Sequence, residues 1–278
     1  MEQVEIAAGG WTFRGYAAGP EDGRLVLFLH GFPQSSLSWA RVVPQVAAAG
    51  HRCVAFDQRG YSPGARPVGV EHYGPDALAG DVAAAIAALG RHRADLVGHD
   101  WGAAVAWQVA GRHPALVRSL VAVSVPHPMA LSDALRTDPD QRERSAYIRV
   151  FRRAGEAEER LRRDDWAPLR RMYGSDVPGQ DVARHLAVLA EPGALTAALS
   201  YYRAMDASFG AGLAPVTAPV TYVWGEDEVA IGPQAAHACG AHVSGPYTFV
   251  PLTGAGHWVP EQVPDRLAGI VLDHLARS

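Results

Sequence analysis

Hydrophobic and polar positions follow two alternating patterns along the first half of the chain. Apolar runs of strand length are typical of strands that are buried on both faces of a sheet. Between them lie segments whose apolar residues recur with helical spacing. The pattern predicts strands at 4–7, 11–17, 25–30, 52–57, 94–98 and 116–125 and helices at 36–49, 76–89 and 101–112. Because strand and helix alternate, we expect an α/β fold with a mostly parallel sheet and helices on both faces.

The alternation stops after residue 128. Residues 129–212 are predicted to be helical, strands resume at 219–224 and 247–252, and a last helix follows from about Pro264. We therefore predict one core, formed by 1–128 and 213–278, with a helical insertion at 129–212. The insertion carries a run of mixed charge that we interpret as a solvated helix face. Its spacing favours ion pairs between residues four apart, namely Glu156–Arg160, Glu158–Arg162 and Glu159–Arg163.

Composition narrows the class of protein. Of the 278 residues, 48% are hydrophobic and 19% are charged, which is enough apolar material for a full core. The formal net charge of -4 argues against a surface for nucleic acid or for an anionic membrane. No apolar run is long enough to cross a bilayer, and the N-terminus lacks the pattern of a secretion signal. These features predict a soluble, cytoplasmic protein in which Cys53 is a buried free thiol.

Three glycine-containing motifs fall at the predicted carboxyl ends of strands, where chemistry collects in parallel sheets. They are HGFP (30–33), GHDWG (98–102) and GHW (256–258). GHDWG has the spacing of a nucleophile elbow, but Asp100 stands where serine is usual. The start of the following helix would stabilise its negative charge. Asp100 could instead be no more than a helix N-cap, but its combination with the other two motifs favours a nucleophile.

A base and an acid can be proposed from the same edge of the sheet. His257 is the one histidine that follows a late strand in a glycine-rich loop, whereas His99 is interpreted as a packing residue. Either Asp227 or Glu228, after the strand at 219–224, could orient His257. Adjacent residues on an extended segment point in opposite directions, so we expect one of these two carboxylates to reach it. The histidines lack the spacing of a zinc site, and no metal is expected.

These segments closely resemble the α/β-hydrolase superfamily and, within it, the epoxide hydrolases that use an aspartate nucleophile. The resemblance implies the α/β-hydrolase fold, with a lid (cap) formed by 129–212. It also implies a nucleophile at Asp100, a base at His257, an oxyanion hole from the backbone N–H groups of Phe32 and Trp101, and no cofactor. It covers nearly the whole chain and rests on HGFPQSSLSW (30–39), DQRGYSPGARP (57–67), LVGHDWGAAVAW (96–107), WGEDEVAIG (224–232) and GAGHWVPE (254–261).

The resemblance also implies two lid tyrosines that hold the epoxide oxygen. The segment AYIRVFRRAGEAEERL places one at Tyr147, and ALSYYRAMD places the other at Tyr202, beside Tyr201. Helical spacing puts Val150, Phe151 and Ala154 on the face of Tyr147. Relatives usually carry Asp at the fourth position of the G-x-x-D segment, where this chain has Glu228. The residues that follow keep the family spacing, which favours Glu228 over Asp227 as the orienting acid.

The expected reaction opens an epoxide to a vicinal diol. A carboxylate can attack a strained carbon and form an alkyl ester, which water activated by His257 then hydrolyses. The expected partner is a small apolar or aromatic epoxide, with no nucleic acid and no membrane, and the protein is expected to be a monomer or homodimer. The residues expected to contact the substrate are Phe32, Trp101, Tyr147, Tyr202 and Trp258.

Two other functions remain open from the sequence. A haloalkane dehalogenase would share Asp100 and would use Trp101, with Trp166 as a lid tryptophan, to hold the halide. Phe32 stands where such enzymes often carry Asn, and the tyrosine pair favours the epoxide. A fluoroacetate dehalogenase is disfavoured because its elbow usually has Arg in place of Trp101. A non-catalytic ligand receptor is the other alternative, because a fold does not fix a function.

Overall fold

The computed structural model describes residues 1–205, 210 and 212–278. These residues form an eight-stranded sheet in the order β1-β2-β4-β3-β5-β6-β7-β8. β1 and β2 form an antiparallel hairpin and β2 is antiparallel to β4, whereas all other neighbours are parallel. The predicted α/β fold is confirmed. The strands are β1 (Glu2–Ala8), β2 (Trp11–Ala18), β3 (Leu25–Leu29), β4 (Arg52–Phe56), β5 (Ala94–His99), β6 (Val117–Val123), β7 (Val220–Gly225) and β8 (Tyr247–Leu252).

Helices cover both faces of the sheet, which explains why the strands are continuous apolar runs. On β3, Val26 and Phe28 pack in the core beneath α1 and α12, whereas Leu27 and Leu29 pack in the core beneath α2 and α3. The helices of the core are α1 (Val43–Ala48), α2 (Pro75–Ala88), α3 (Trp101–Arg112), α10 (Pro233–Ala238), α11 (Val259–Gln262) and α12 (Pro264–Arg277).

The predicted helix at 36–49 is wrong in extent. A 3-10 turn at Ser36–Trp39 is followed by α1, which begins with Val43 and Pro44. Proline lacks a backbone N–H and is compatible with the first turn of a helix but not with its interior. Pro44 therefore starts a new helix instead of continuing the preceding turn.

The segment between β6 and β7 is helical over most of its described residues and carries two breaks. Gly155, with φ of 80°, separates α6 from α7, and α7 kinks where residues 164–166 have positive φ. Pro168 accounts for the kink, because its ring displaces the carbonyl group four residues earlier. The helices are α4 (Pro128–Thr137), α5 (Pro139–Arg144), α6 (Ile148–Phe151), α7 (Glu156–Tyr173), α8 (Gly179–Ala190) and α9 (Ala194–Ala204).

Two of the three ion pairs predicted in this segment are wrong. Arg163 does pair with Glu159, at 2.9 Å. Glu156 instead contacts Arg153, at 3.0 Å, and Glu158 contacts Arg203 of α9, at 2.9 Å. Glu158 also accepts the backbone N–H of Gly155 in a capping box. This bond turns its carboxylate toward the start of α7 and away from the arginine one turn later.

Every helix among the described residues is too short or too polar to cross a membrane.

Candidate active site

Asp100 stands where β5 turns directly into α3, with φ of 53° and ψ of -121°. The turn leaves no space for side chains at its flanking glycines. A Cβ atom on Gly98 would overlap the carbonyl oxygen of Gly102, and a Cβ atom on Gly102 would overlap that of Leu29. Glycine at these two positions therefore makes the strand–helix junction possible and places Asp100 at the carboxyl end of β5.

The Asp100 carboxylate is buried and is held by backbone N–H groups. Phe32 donates to its Oδ1 atom over 2.8 Å, and the N–H of Trp101 also bonds the carboxylate. A side chain at position 31 would overlap the carboxylate, so Gly31 is required for this approach. Apart from the N–H of Trp101, the Asp100 side chain accepts no capping bond from the described N–H groups at the start of α3. The carboxylate thus faces the two N–H groups that the resemblance assigns to the oxyanion hole.

His257, in the loop between β8 and α11, lies between two carboxylates. Its Nε2 atom is 3.7 Å from Oδ2 of Asp100, which is longer than a hydrogen bond. Its Nδ1 atom is 2.9 Å from both carboxylate oxygens of Glu228, in the loop after β7. Asp227 is exposed to solvent. The structure therefore brings Glu228 to the histidine and turns Asp227 away.

Sequence reasoning missed the residues that hold Glu228. The hydroxyl of Ser124 donates to its Oε2 atom over 2.6 Å, and the N–H of Ala230 donates to Oε1 over 2.8 Å. Ser124 directly follows β6 and has φ of 69°. The available signal in the sequence was a small polar residue near the carboxyl end of the strand predicted at 116–125, the end at which the other motifs lie. These bonds satisfy a carboxylate that is almost fully buried.

His99 does more than pack, although it points away from the Asp100 cavity as expected. Its Nε2 atom lies 2.8 Å from the carbonyl oxygen of His257, and its Nδ1 atom lies 2.9 Å from the side-chain oxygen of Gln34. The Gln34 amide in turn donates to Glu261 over 2.6 Å. These two contacts link His99 to the backbone of the His257 loop and to the side chain of Gln34.

The charges of the site are strongly coupled. Burial raises the pKa of the Asp100 carboxyl above its ordinary value, against the opposing effects of His257 and the two N–H groups. Burial alone would also raise the pKa of Glu228, but the charge and hydrogen bond of His257 bring it down to about 2. Burial would lower the pKa of His257, yet Glu228 and then Asp100 raise it to about 9. At neutral pH the raised pKa of His257 favours its imidazolium form, which lies between the side chains of Glu228 and Asp100.

A cavity of about 450 Å³ lies above Asp100 and His257, between the sheet and the helical insertion. Tyr147, just before α6, and Tyr202, on α9, line it from the insertion, and a hydrogen bond joins their side chains. The adjacent Tyr201 turns into the protein, where its hydroxyl donates to the carbonyl of Arg59 over 2.9 Å. The other lining residues include Phe32, Val150, Phe151, Leu161, Met172 and Trp258.

The hydroxyls of the two tyrosines have raised pKa values. Burial, followed by the negative charge of Asp100, raises the pKa of Tyr147 above its ordinary value. Burial, followed by the charges of Tyr147 and Asp100, raises the pKa of Tyr202. Both hydroxyls therefore keep their protons at neutral pH. Tyr147 lies in the turn between α5, which ends at Arg144, and α6, which begins at Ile148.

A smaller chamber of about 70 Å³ opens on the other side of Asp100 and the two tyrosines. Its lining is mainly apolar and includes Trp101, Ala104, Val125, Leu131, Ile148 and Ile231. Trp166, by contrast, lies at the kink of α7, with the guanidinium carbon of Arg162 5.8 Å from its ring centroid. Trp166 is not one of the described residues that line the larger cavity or the smaller chamber.

Comparison of the amino-acid sequence with known proteins identifies the family of this chain. The family model for the α/β hydrolase fold matches residues 24–264. The chain is 33% identical over 277 residues to the AB hydrolase superfamily protein YfhM of Bacillus subtilis, covering 97% of this chain and 96% of that protein. It is 30% identical over 312 residues to Epoxide hydrolase A of Mycobacterium tuberculosis, covering 97% of this chain and 96% of that protein. The chain belongs to the epoxide hydrolase family of α/β hydrolases.

Solved structures of the epoxide hydrolase family share the whole architecture. A variant of an epoxide hydrolase from Bacillus megaterium, complexed with its diol product, matches with a TM-score of 0.89 and 27% identity over 98% of this chain and 100% of that chain. Epoxide hydrolase A from Mycobacterium thermoresistibile matches with a TM-score of 0.87 and 27% identity over 99% and 98% of the two chains. The family inferred from the sequence motifs is confirmed, whereas the roles of individual residues stay predictions.

The electrostatic coupling of His257 to Glu228 and Asp100 predicts how substitutions at these carboxylates change the pKa of His257. Glu228→Gln should lower the pKa of His257 from about 9 by the larger amount, and Asp100→Asn should lower it less, because Glu228 is the stronger of the two influences. Asp227→Asn, the matched control, should leave the pKa unchanged because Asp227 is exposed. Nuclear magnetic resonance titration of the His257 ring gives the three values. An equal effect of Asp227→Asn and Glu228→Gln would contradict the assignment of the acid.

Proposed function

We propose that the protein hydrolyses small apolar or aromatic epoxides to vicinal diols through a covalent ester on Asp100. The observation that carries this proposal is that Asp100, Tyr147 and Tyr202 line the same cavity. A nucleophilic carboxylate therefore faces two protonated phenols across a space for a ligand. The apolar and aromatic walls suit the hydrocarbon part of such a substrate.

The first step makes the ester. Oδ1 of Asp100 is engaged by Phe32, so Oδ2 is the oxygen available to attack a carbon of the epoxide. The carbon–oxygen bond of the ring breaks, and its electron pair stays on the epoxide oxygen. Tyr147 and Tyr202 donate hydrogen bonds to that oxygen as its charge develops. Such donors accelerate a reaction because they are in place before the charge appears.

The second step hydrolyses the ester. Once Asp100 is esterified, it no longer carries the charge that helps to raise the pKa of His257. His257 then gives up a proton and the substrate alkoxide takes one up, so the two charges are neutralised together. A neutral imidazole is left beside the ester. His257 takes a proton from water, and the oxygen of that water adds to the carbonyl carbon of Asp100. The N–H groups of Phe32 and Trp101 hold the oxyanion. Its collapse breaks the bond between the Asp100 carbon and the substrate oxygen, and that oxygen takes the proton of the added hydroxyl. The diol is released, and the ion pair of Asp100 with the protonated His257 is restored.

We further propose that residues 129–212 act as the lid of this site. Supporting this, helices of the insertion supply Val150, Leu161 and Tyr202 to the cavity wall. They cover the edge of the sheet at which Asp100 and His257 stand. Exclusion of bulk water from such a site strengthens every electrostatic interaction inside it.

The dehalogenase alternative receives less support. The lid tryptophan that it would need, Trp166, lies outside the cavity lining and stacks with Arg162. The place opposite Asp100 is taken by two tyrosine hydroxyls, which suit a developing alkoxide. The receptor alternative differs from both in predicting binding without turnover.

Diol formation tests the proposed function. Purified protein should convert aryl and alkyl epoxides, styrene oxide among them, into vicinal diols, and should release no chloride from chloroalkanes of similar size. Asp100→Ala should stop diol formation while circular dichroism shows a folded protein. Asp227→Asn, which changes an exposed carboxylate, should keep the activity. Chloride release without diol formation would instead support a dehalogenase, and binding without either product would support a receptor.

The tyrosine pair gives a second prediction, with a control on the adjacent residue. Tyr147→Phe and Tyr202→Phe should each slow single-turnover formation of the ester by about 100-fold, as expected for a lost donor to a developing oxyanion. The double variant should be slower still. Tyr201→Phe should leave the rate near that of the unaltered protein, because its hydroxyl bonds Arg59 outside the cavity. Rapid-quench measurement of ester formation gives these rates. A normal rate in the double variant would exclude Tyr147 and Tyr202 as donors to the epoxide oxygen.

A further inference from the structure

Helix α8 of the insertion buries one polar side chain among apolar ones. Its buried face consists of Val182, His185, Leu186 and Leu189, which recur with helical spacing. His185 is 1% exposed, so its ring nitrogens need partners inside the protein. An aliphatic residue at this position would complete the apolar face without that requirement. The contacts of the imidazole therefore call for an explanation.

His185 reaches across the boundary between the insertion and the core. Its Nδ1 atom accepts the backbone N–H of Ser35 over 3.1 Å and lies 3.0 Å from the Ser35 hydroxyl oxygen. Its Nε2 atom lies 3.3 Å from Oε1 of Glu261. Ser35 follows Phe32 closely in the sequence, and Glu261 lies in α11, just after His257. One side chain of the insertion therefore contacts two of the core segments that form the candidate site.

The Glu261 carboxylate is held through one of its two oxygens. It is buried, and its Oε1 atom receives the His185 contact and the side-chain amide of Gln34, which donates over 2.6 Å. Its Oε2 atom has no hydrogen-bond partner among the described residues. The two contacts at Oε1 therefore determine the orientation of the carboxylate. Because burying a carboxylate is unfavourable, an interface that needed only stability could use apolar residues here instead.

From Glu261 the contacts continue to the backbone of the candidate base. The Gln34 side chain, whose amide donates to Glu261, has its oxygen 2.9 Å from Nδ1 of His99. The Nε2 atom of His99 lies 2.8 Å from the carbonyl oxygen of His257. Each of these links is at hydrogen-bond distance, and the side chains are buried. A continuous chain of contacts thus leads from α8 to the carbonyl group of His257.

Aromatic rings make a second connection between the insertion and the candidate base. Tyr173, at the end of α7, stacks on His185 with ring centroids 6.0 Å apart and an interplanar angle of 17°. Its ring centroid is also 4.7 Å from that of Trp258, the residue after His257. The Trp258 indole N–H donates to the carbonyl oxygen of Met172 over 3.1 Å. These contacts place α7 and α8 directly against the His257 segment.

We propose that His185 and Glu261 are positioning residues, which couple the position of α8 on the core to the position of the His257 backbone. The inference rests on the proposed function, in which His257 activates water beneath the insertion. When α8 is packed on the core, His185 fixes Glu261, and Glu261 fixes the Gln34 amide. His99, which contacts that amide, holds the carbonyl of His257. When α8 moves away, Glu261 loses one of the two contacts that orient it, and the His257 loop is held less firmly.

The two chemical steps should respond differently to loss of this chain. His185→Phe keeps a ring for Tyr173 to stack on and removes both nitrogens. Single-turnover hydrolysis of the ester should slow by about fivefold, the effect of one lost hydrogen bond, because His257 acts in that step. Formation of the ester should change much less, because Asp100 is not part of the chain. Rapid-quench measurement gives both rates, and equal slowing of the two steps would overturn the proposal.

A substitution on the core side tests the same chain independently. Glu261→Met keeps an unbranched side chain of similar size and removes both oxygens, so it should give the same selective loss as His185→Phe. Because both residues belong to one chain, the double variant should be hardly slower than either single variant. Losses that multiply in the double variant would contradict a common chain. Circular dichroism shows that each variant is folded, and Glu261→Met remains decisive if His185→Phe does not fold.

Two controls separate positioning from anchoring of the helix. Glu191→Gln removes ion pairs with Arg14 and Arg66, at 2.6 and 2.9 Å, which join the C-terminal end of α8 to the core. It should leave the ratio of the two rates unchanged, because the chain to His257 stays intact. His185→Gln keeps a donor and an acceptor and should restore much of the hydrolysis rate lost in His185→Phe. A selective loss in Glu191→Gln, or no restoration in His185→Gln, would contradict the proposal.

A spectroscopic measurement distinguishes failure of this proposal from failure of the proposed function. The backbone carbonyl carbon resonance of His257, measured by nuclear magnetic resonance in the resting protein, reports the contact at that oxygen. It should shift in His185→Phe and in Glu261→Met, and should stay in place in Glu191→Gln. If no epoxide is hydrolysed but these shifts are found, epoxide hydrolysis fails and the coupling stands. An unchanged resonance in both His185→Phe and Glu261→Met would exclude the coupling, whatever the activity.

Discussion

The buried negative charge of Asp100 is the interaction around which the candidate site is organised. Moving an unpaired carboxylate into a protein interior is strongly unfavourable, so the surrounding groups must offset that cost. Two backbone N–H groups, from Phe32 and Trp101, and the imidazolium of His257 do so. The same groups are the ones that the proposed reaction at Asp100 would use. One set of contacts therefore stabilises the resting carboxylate and would serve the proposed chemistry.

The sheet topology makes this set possible. Phe32 follows β3, Asp100 follows β5, Ser124 follows β6, Glu228 follows β7 and His257 follows β8. Because these strands are adjacent and parallel, their carboxyl ends meet at one edge. Residues that are far apart in the sequence are thus delivered to one site by rigid strands, with short loops that are fixed by hydrogen bonds. The helical insertion, between β6 and β7, closes the space above them.

Much of this could be predicted from the sequence because it depends on local pattern. Apolar runs indicated the strands, and the glycines of GHDWG indicated a strand that turns straight into a helix. The choice between Asp227 and Glu228 could not be derived from alternation alone, since it depends on the loop that follows β7. Ser124 and the bond from His99 to the His257 carbonyl depend on contacts between distant segments. The ion pairs of α7 were mispredicted because Gly155 and Glu158 form a cap that spacing alone does not reveal.

The fate of water oxygen tests the ester on Asp100 most directly. One turnover is run with enzyme in excess over an epoxide, in water enriched in heavy oxygen. If Asp100 attacks carbon, the first diol keeps ordinary oxygen from the enzyme at the attacked carbon, and mass spectrometry finds the label in the peptide that contains Gly98 to Gly102. If His257 instead drives water directly onto the epoxide, the label is found in the first diol and not in that peptide, which would contradict the account.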